Sequence, residues 1–209
     1  MLSFRMFEFS DSPVPVSDDV QETFESYWDH LAAPGATLTS AERSAVARSS
    51  RGEAAGGAHP ALIGLAEHLG TSPGTVFEPE VRAAADVVGD PKTVETIAVV
   101  SLLSCVDGVH DALGTEREAL PDSRTGEPTG EVAEGYKRRR THVPMPQGAI
   151  PVAMDLIPAE GAERIAMSAP TYMPDDEMGQ PDWEKPGGLD RSQMEVIAAR
   201  TSWHNDCFY

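Results

Sequence analysis

Cysteine is scarce in this 209-residue chain: Cys105 and Cys207 are its two, too few to staple a small extracellular fold. Basic residues are also short, sixteen Lys and Arg against thirty-four Asp and Glu, for a formal charge of -18. Nucleic-acid partners are disfavoured, because phosphate neutralisation needs a Lys/Arg surface. The single basic cluster, Lys137-Arg138-Arg139-Arg140, reads as a solvated segment balancing nearby acid. No long apolar run exists. The longest, Ile97 to Leu103, is broken by Ser101 and is too short to span a bilayer. The first residues, Met1 to Phe9, hold no sustained apolar core of the signal-peptide kind. Phosphate loops, dinucleotide fingerprints and zinc spacings are missing; His30, His59, His68 and His142 are scattered. These absences point to a soluble cytoplasmic protein without a membrane partner, metal or cofactor. In such a compartment a cysteine pair is more often catalytic or metal-binding than structural.

What remains is helical pattern. Residues 1–16 read as an irregular arm with Pro13 and Pro15. Val20, Phe24, Tyr27, Trp28 and Leu31 recur at helical spacing over 18–31, and Pro34-Gly35 closes that segment. Thr39-Ser40-Ala41-Glu42 is a capping box that opens a helix to about Arg51. Further helices are expected over 59–69, with Gly70 as the stop, over 77–88, and over 93–113, the longest periodic segment, ending at Gly114. Residues 115–188 hold ten of the seventeen prolines. They read as a Pro/Gly-rich acidic linker with short helices near 130–140 and 159–167. A connection of that length suits a link between two similar units. Met145, Met154, Met167, Met173 and Met178 recur along it as flexible surface-covering contacts.

The two units can be aligned. Met194-Glu195-Val196-Ile197-Ala198 matches Val94-Glu95-Thr96-Ile97-Ala98 at an offset of 100 residues. At that offset Thr201 falls on Ser101, Asn205 on Cys105 and Cys207 on Asp107. This suggests a duplicated helical unit: a first repeat over 17–114 without a thiol pair, and a second beginning at 189 with an amphipathic helix. The sequence given stops at Asn205-Asp206-Cys207-Phe208-Tyr209, one residue short of a Cys-x-x-Cys spacing. A second redox residue is therefore expected just past Tyr209, with a selenocysteine codon read as a stop as the expected cause.

Glu195, Asn205, Cys207 and Phe208-Tyr209 together resemble the core of alkylhydroperoxidase D and its carboxymuconolactone decarboxylase-like relatives. Leu38 to Ala47 and Val109-His110-Asp111-Ala112-Leu113-Gly114 are similar to the two-repeat members of that family. The resemblance is loose over 20–114 and tighter over 189–209. The chain departs from the family pattern in lacking the second cysteine and the His four residues beyond it. The resemblance implies an all-α helical bundle of the alkylhydroperoxidase D type, commonly a homo-oligomer. It also implies a peroxidase fed by a thiol reductant, of thioredoxin-like or lipoyl type, whose redox site is half present in these 209 residues. This form of the chain is then expected to be inactive or weakly active.

In that reading Cys207 is the redox thiol, attacking peroxide as thiolate or resolving a neighbouring selenol. The alternative is an ordinary terminal thiol. Glu195 lies twelve residues upstream, a little over three helical turns. The family's matching Glu serves a proton relay; the alternative is a solvated first-turn carboxylate. His204, three before Cys207, could share its helical face, although a surface histidine is the safer reading. Cys105 and His110 are spaced poorly for one face, so Cys105 reads as a buried thiol, and Glu95 and His110 as relics of a site lost from the first repeat. Two other functions compete with the peroxidase. One is a non-redox decarboxylase-like enzyme that does not need Cys207. The other is a non-enzymatic helical interaction or scaffold protein, a stable oligomer with its terminal helix docked; Val196, Ile197 and Trp203 of the second repeat are expected as apolar surface to be covered.

Overall fold

The computed structural model describes residues 6–139, 141–146, 153–185 and 188–204. Among them the chain is all-α, with no strand, only isolated bridges at Lys137–Met145 and Glu184–Asp190. The helices are α1 Asp18–Ala32, α2 Ser40–Ser50, α3 Pro60–Thr71, α4 Glu78–Val88, α5 Asp90–Leu113, α6 Pro158–Thr171 and α7 Arg191–His204.

Local chemistry sets most of the boundaries. Glu42 N–H donates to Thr39 Oγ1 at 3.2 Å while Thr39 N–H donates to Glu42 Oε2 at 2.8 Å, the expected capping box of α2. Gly89, at φ 88°, ends α4 and directly precedes α5. That helix starts at Asp90 rather than Thr93, because Pro91 fits a first turn that does not use its missing N–H. Gly114, at φ 70°, closes α5 as expected. Gly70 does not stop α3. It lies inside the helix, where a Cβ would run into the Ser50 carbonyl, so its role is to let α3 approach the end of α2.

The core is organised around α5. One cluster joins Phe24, Trp28 and Leu31 of α1 to Val99, Leu103 and Val106 of α5. A second joins Leu65 of α3, Val81 of α4 and Val94 of α5 to Val143, Leu156 and Ile157. By length and composition α5 alone among the described helices could cross a bilayer. Here half of its most apolar 18-residue window is buried inside the bundle.

Between α5 and α6, residues 130–139 form no helix, contrary to the expectation for 130–140. The segment of residues 119–130 runs along α1 and the α1–α2 turn. Arg124 N–H donates to Ala32 O at 2.8 Å, Thr129 N–H to Gly35 O at 3.0 Å and Gly130 N–H to Ala36 O at 2.8 Å. Its prolines remove donors without breaking these three bonds, which Arg, Thr and Gly supply. The helix expected over 159–167 is longer, 158–171, and packs against α1 and α5. Helix α7 buries Met194 alone among its described side chains and leaves Val196, Ile197 and Trp203 at 61, 54 and 82% exposure.

Candidate functional site

Cys207 lies outside the described residues. Glu195 stands on α7, half exposed, with its Oε1 accepting from the Tyr172 hydroxyl at 3.0 Å and paired with Arg191 at 2.7 Å. Burial and then the Glu195 carboxylate push the Tyr172 phenol up, so it remains a protonated donor. Tyr172 also lines a mainly apolar cavity of about 290 Å³ between the end of α6 and α7, together with Thr171, Leu189, Met194, Ile197 and Ala198. The Lys185 ammonium at its edge is held by the Pro170 carbonyl. His204 is exposed and nine residues from Glu195, which places the two on opposite sides of α7.

The structure does not bring Cys105 and His110 together. Cys105 is half-buried, hydrogen-bonded to Thr171, and burial pushes its thiol up despite that bond, which disfavours the reactive thiolate. Through Thr171 it sits behind the wall of the α6–α7 cavity. His110 turns instead to the N-terminal arm, with its ring stacked on Phe9.

The most concentrated polar constellation is elsewhere and was missed in the sequence. Arg43 of α2 is fully buried, and its Nη1 donates to Glu95 Oε1 of α5 at 3.0 Å and to Glu160 Oε1 of α6 at 2.5 Å. Both carboxylates are fully buried. Glu95 Oε2 also accepts from Thr37 N–H and Thr37 Oγ1, both at 2.7 Å, and from Leu38 N–H at 3.2 Å. His30 Nε2 of α1 lies 2.9 Å from Glu160 Oε1, and its Nδ1 lies 3.8 Å from Glu163 at the surface. Four helices thus meet at one guanidinium.

Electrostatics fit this geometry. Burial raises the Glu160 carboxyl, but the His30 hydrogen bond and the Arg43 charge outweigh it and hold the group below its ordinary value. Burial opposes the Arg43 charge, yet Glu160 and then Glu95 raise its affinity for the proton. Two carboxylates against one guanidinium leave one surplus negative charge, and the His30 ring meets it through its 2.9 Å contact with Glu160. Gly35 makes the arrangement possible. A Cβ there would overlap Glu95 Oε1 and come within 2.6 Å of Arg43 Nη1. Glu95 is a buried acid with both carboxylate oxygens engaged. The signals available in the sequence were Arg43 and Glu95 at apolar-face positions of α2 and α5; Glu160 carried none, lying in a segment read as linker.

Fold and site define an all-α protein knit together by a buried guanidinium–carboxylate hub, with a second polar group, Glu195–Tyr172–Arg191, beside an apolar cavity. No protein-family model matches the chain, and neither a curated protein nor a solved structure shows significant similarity to it.

Proposed function

We propose that this chain belongs to a thiol- or selenol-dependent hydroperoxide reductase of the alkylhydroperoxidase D type, with Cys207 as its thiol and Glu195 as its proton carrier. The observation that carries the reading is Glu195: a carboxylate on α7, held by Tyr172 and Arg191 at the edge of an apolar cavity. A Glu so placed can accept and return a proton. In the proposed step the Cys207 thiolate attacks a peroxide oxygen. The S–O bond forms, the O–O bond breaks, and the leaving alkoxide takes a proton to become an alcohol. A second thiol or selenol then displaces hydroxide from the sulfenic acid, releasing water and forming a disulfide or selenyl-sulfide. A dithiol donor reduces that bond and is itself oxidised.

A second reading has its own support. Val196, Ile197 and Trp203 form an apolar surface on α7 of the kind that non-enzymatic helical oligomers bury.

The test is peroxide consumption by the 209-residue chain with a dithiol donor, alongside mass-spectrometric detection of sulfenic acid. Peroxide is expected to oxidise Cys207 once, with slow turnover or none, and Glu195→Gln is expected to slow that oxidation. Cys105→Ser is expected to leave it unchanged. Oxidation no faster than that of a free thiol, or equal in Glu195→Gln, would sink the redox reading and favour the oligomer.

A further inference from the structure

The N-terminal arm is pinned to the bundle by two aromatic rings and a histidine. Phe7 is fully buried and meets Phe24 and Trp28 edge-on, with ring centroids 5.6 and 5.0 Å away. Phe9 lies over the His110 imidazole, with centroids 4.6 Å apart and planes inclined by 27°. Phe7 flanks the same imidazole at 6.0 Å. Phe9 has φ 46°, in the left-handed region that bulky L residues avoid. Ser12 N–H donating to Phe9 O at 3.0 Å helps hold this bend. The arm is thus bent against its own preference while its ring lies on His110.

His110 is 3% exposed. Its Nδ1 lies 2.9 Å from Thr115 Oγ1, and its Nε2 has no hydrogen-bond partner among the described residues. A neutral imidazole tolerates this, because one nitrogen is then an uncharged acceptor. An imidazolium would bury a charged N–H donor without an acceptor, which is far more costly.

The surrounding charges do not remove that cost. On α5, Asp107 is already held by Arg51 at 2.7 Å and by Arg117 at 3.4 Å, and Asp111 is held by Arg117. Arg51, at the end of α2, is a like charge for an imidazolium. Asp11 faces it from the arm, and α1 offers apolar Phe24 and Trp28. Burial pushes the His110 imidazole down. Asp107, Asp11 and Asp111 oppose this, Arg51 assists, and the balance lies below the ordinary histidine value.

We propose that residues 6–12 are an acid-released latch, undocked from the bundle when His110 is protonated. The docked state favours the neutral ring. Docking is therefore fully stabilised above the undocked histidine value, about 6.5, and weakens as pH falls towards the docked value. One proton changes the docking equilibrium by at most about tenfold per pH unit. Release exposes the slot that Phe7 fills between Phe24 and Trp28.

The experiment is amide hydrogen exchange on the full chain at pH 7.5 and 5.0, read as protection factors corrected for the intrinsic pH dependence of exchange. Protection over residues 7–12 is expected to fall by up to about tenfold per pH unit below 6.5, while α5 stays protected. His110→Phe, which keeps a ring under Phe9 but cannot take a proton, is expected to show no such fall. Equal arm protection at both pH values, or a fall shared by His110→Phe, would overturn the latch. An NMR titration of His110 in the unaltered chain is a check independent of any variant. Its midpoint is expected below the ordinary histidine value, and a midpoint at or above about 6.5 would overturn the proposal.

Discussion

Replacing Arg43 by Met tests whether the buried hub holds the bundle together. The side chain reaches from α2 to carboxylates on α5 and α6, and all three groups are fully buried. Methionine fills much of the volume, so the loss is chiefly electrostatic. Removing one partner of a buried pair typically costs about 3–5 kcal/mol, because the other charge is left uncompensated. Glu95 retains its two backbone N–H donors and the Thr37 hydroxyl, whereas Glu160 retains only His30. The stranded charge is therefore mainly Glu160, and the expected loss is about 3 kcal/mol, toward the lower end of that range. In urea, with a slope of roughly 2 kcal/mol per molar, this moves the midpoint by about 1.5 M. Adding Glu160→Gln to Arg43→Met removes the stranded charge and should recover more than about 1 kcal/mol. The pH dependence gives a second signature. In the unaltered protein Glu160 is held below its ordinary value of 4.5, so it contributes stability above that pH which is lost as pH falls through the folded-state value. Without Arg43, burial favours the protonated acid, so the Met variant is relieved as pH falls towards 4.5 and the unaltered protein loses its Glu160 stabilisation below it; the gap between the two should narrow throughout. A loss under about 1 kcal/mol at pH 7, or no coupling to Glu160→Gln, would refute the reasoning.

Gly35→Ala should destabilise by about 1–3 kcal/mol, because its methyl would enter the space of Glu95 Oε1. Gly108→Ala, on an open face of α5, should instead stabilise by about 0.5–1 kcal/mol. Melting temperatures of the two variants should move in opposite directions. Trp203→Ser should weaken self-association in sedimentation velocity if α7 is an oligomer surface, and an unchanged distribution of species would exclude it.

The helices of the first half were legible because their signals are local. The Thr39–Glu42 capping box, the Gly114 stop and the spacing of Phe24, Tyr27, Trp28 and Leu31 need no knowledge of partners. Gly70 misled, because a glycine near the end of a periodic run looks like a cap, whereas here it serves a close helix crossing. Residues 115–188 were harder to read. Proline content describes the backbone donors a segment lacks, not whether its remaining groups find partners 80 or 90 residues away. The hub was only half signalled for the same reason. Arg43 and Glu160 are separated by 117 positions, and an arginine on an apolar helix face does not name its partners until the chain is folded.

The separation also orders events as the chain emerges during synthesis. Arg43 and Glu95, 52 positions apart, can pair as a neutral couple once α5 exists. Glu160 arrives later as a surplus negative charge, after the run that lines the α1–α2 turn beside Glu95. The last helix to join the hub finds a receptor already charge-balanced. Its other partner is His30 at the rim, so the first helix of the chain and the last to reach the hub close it together.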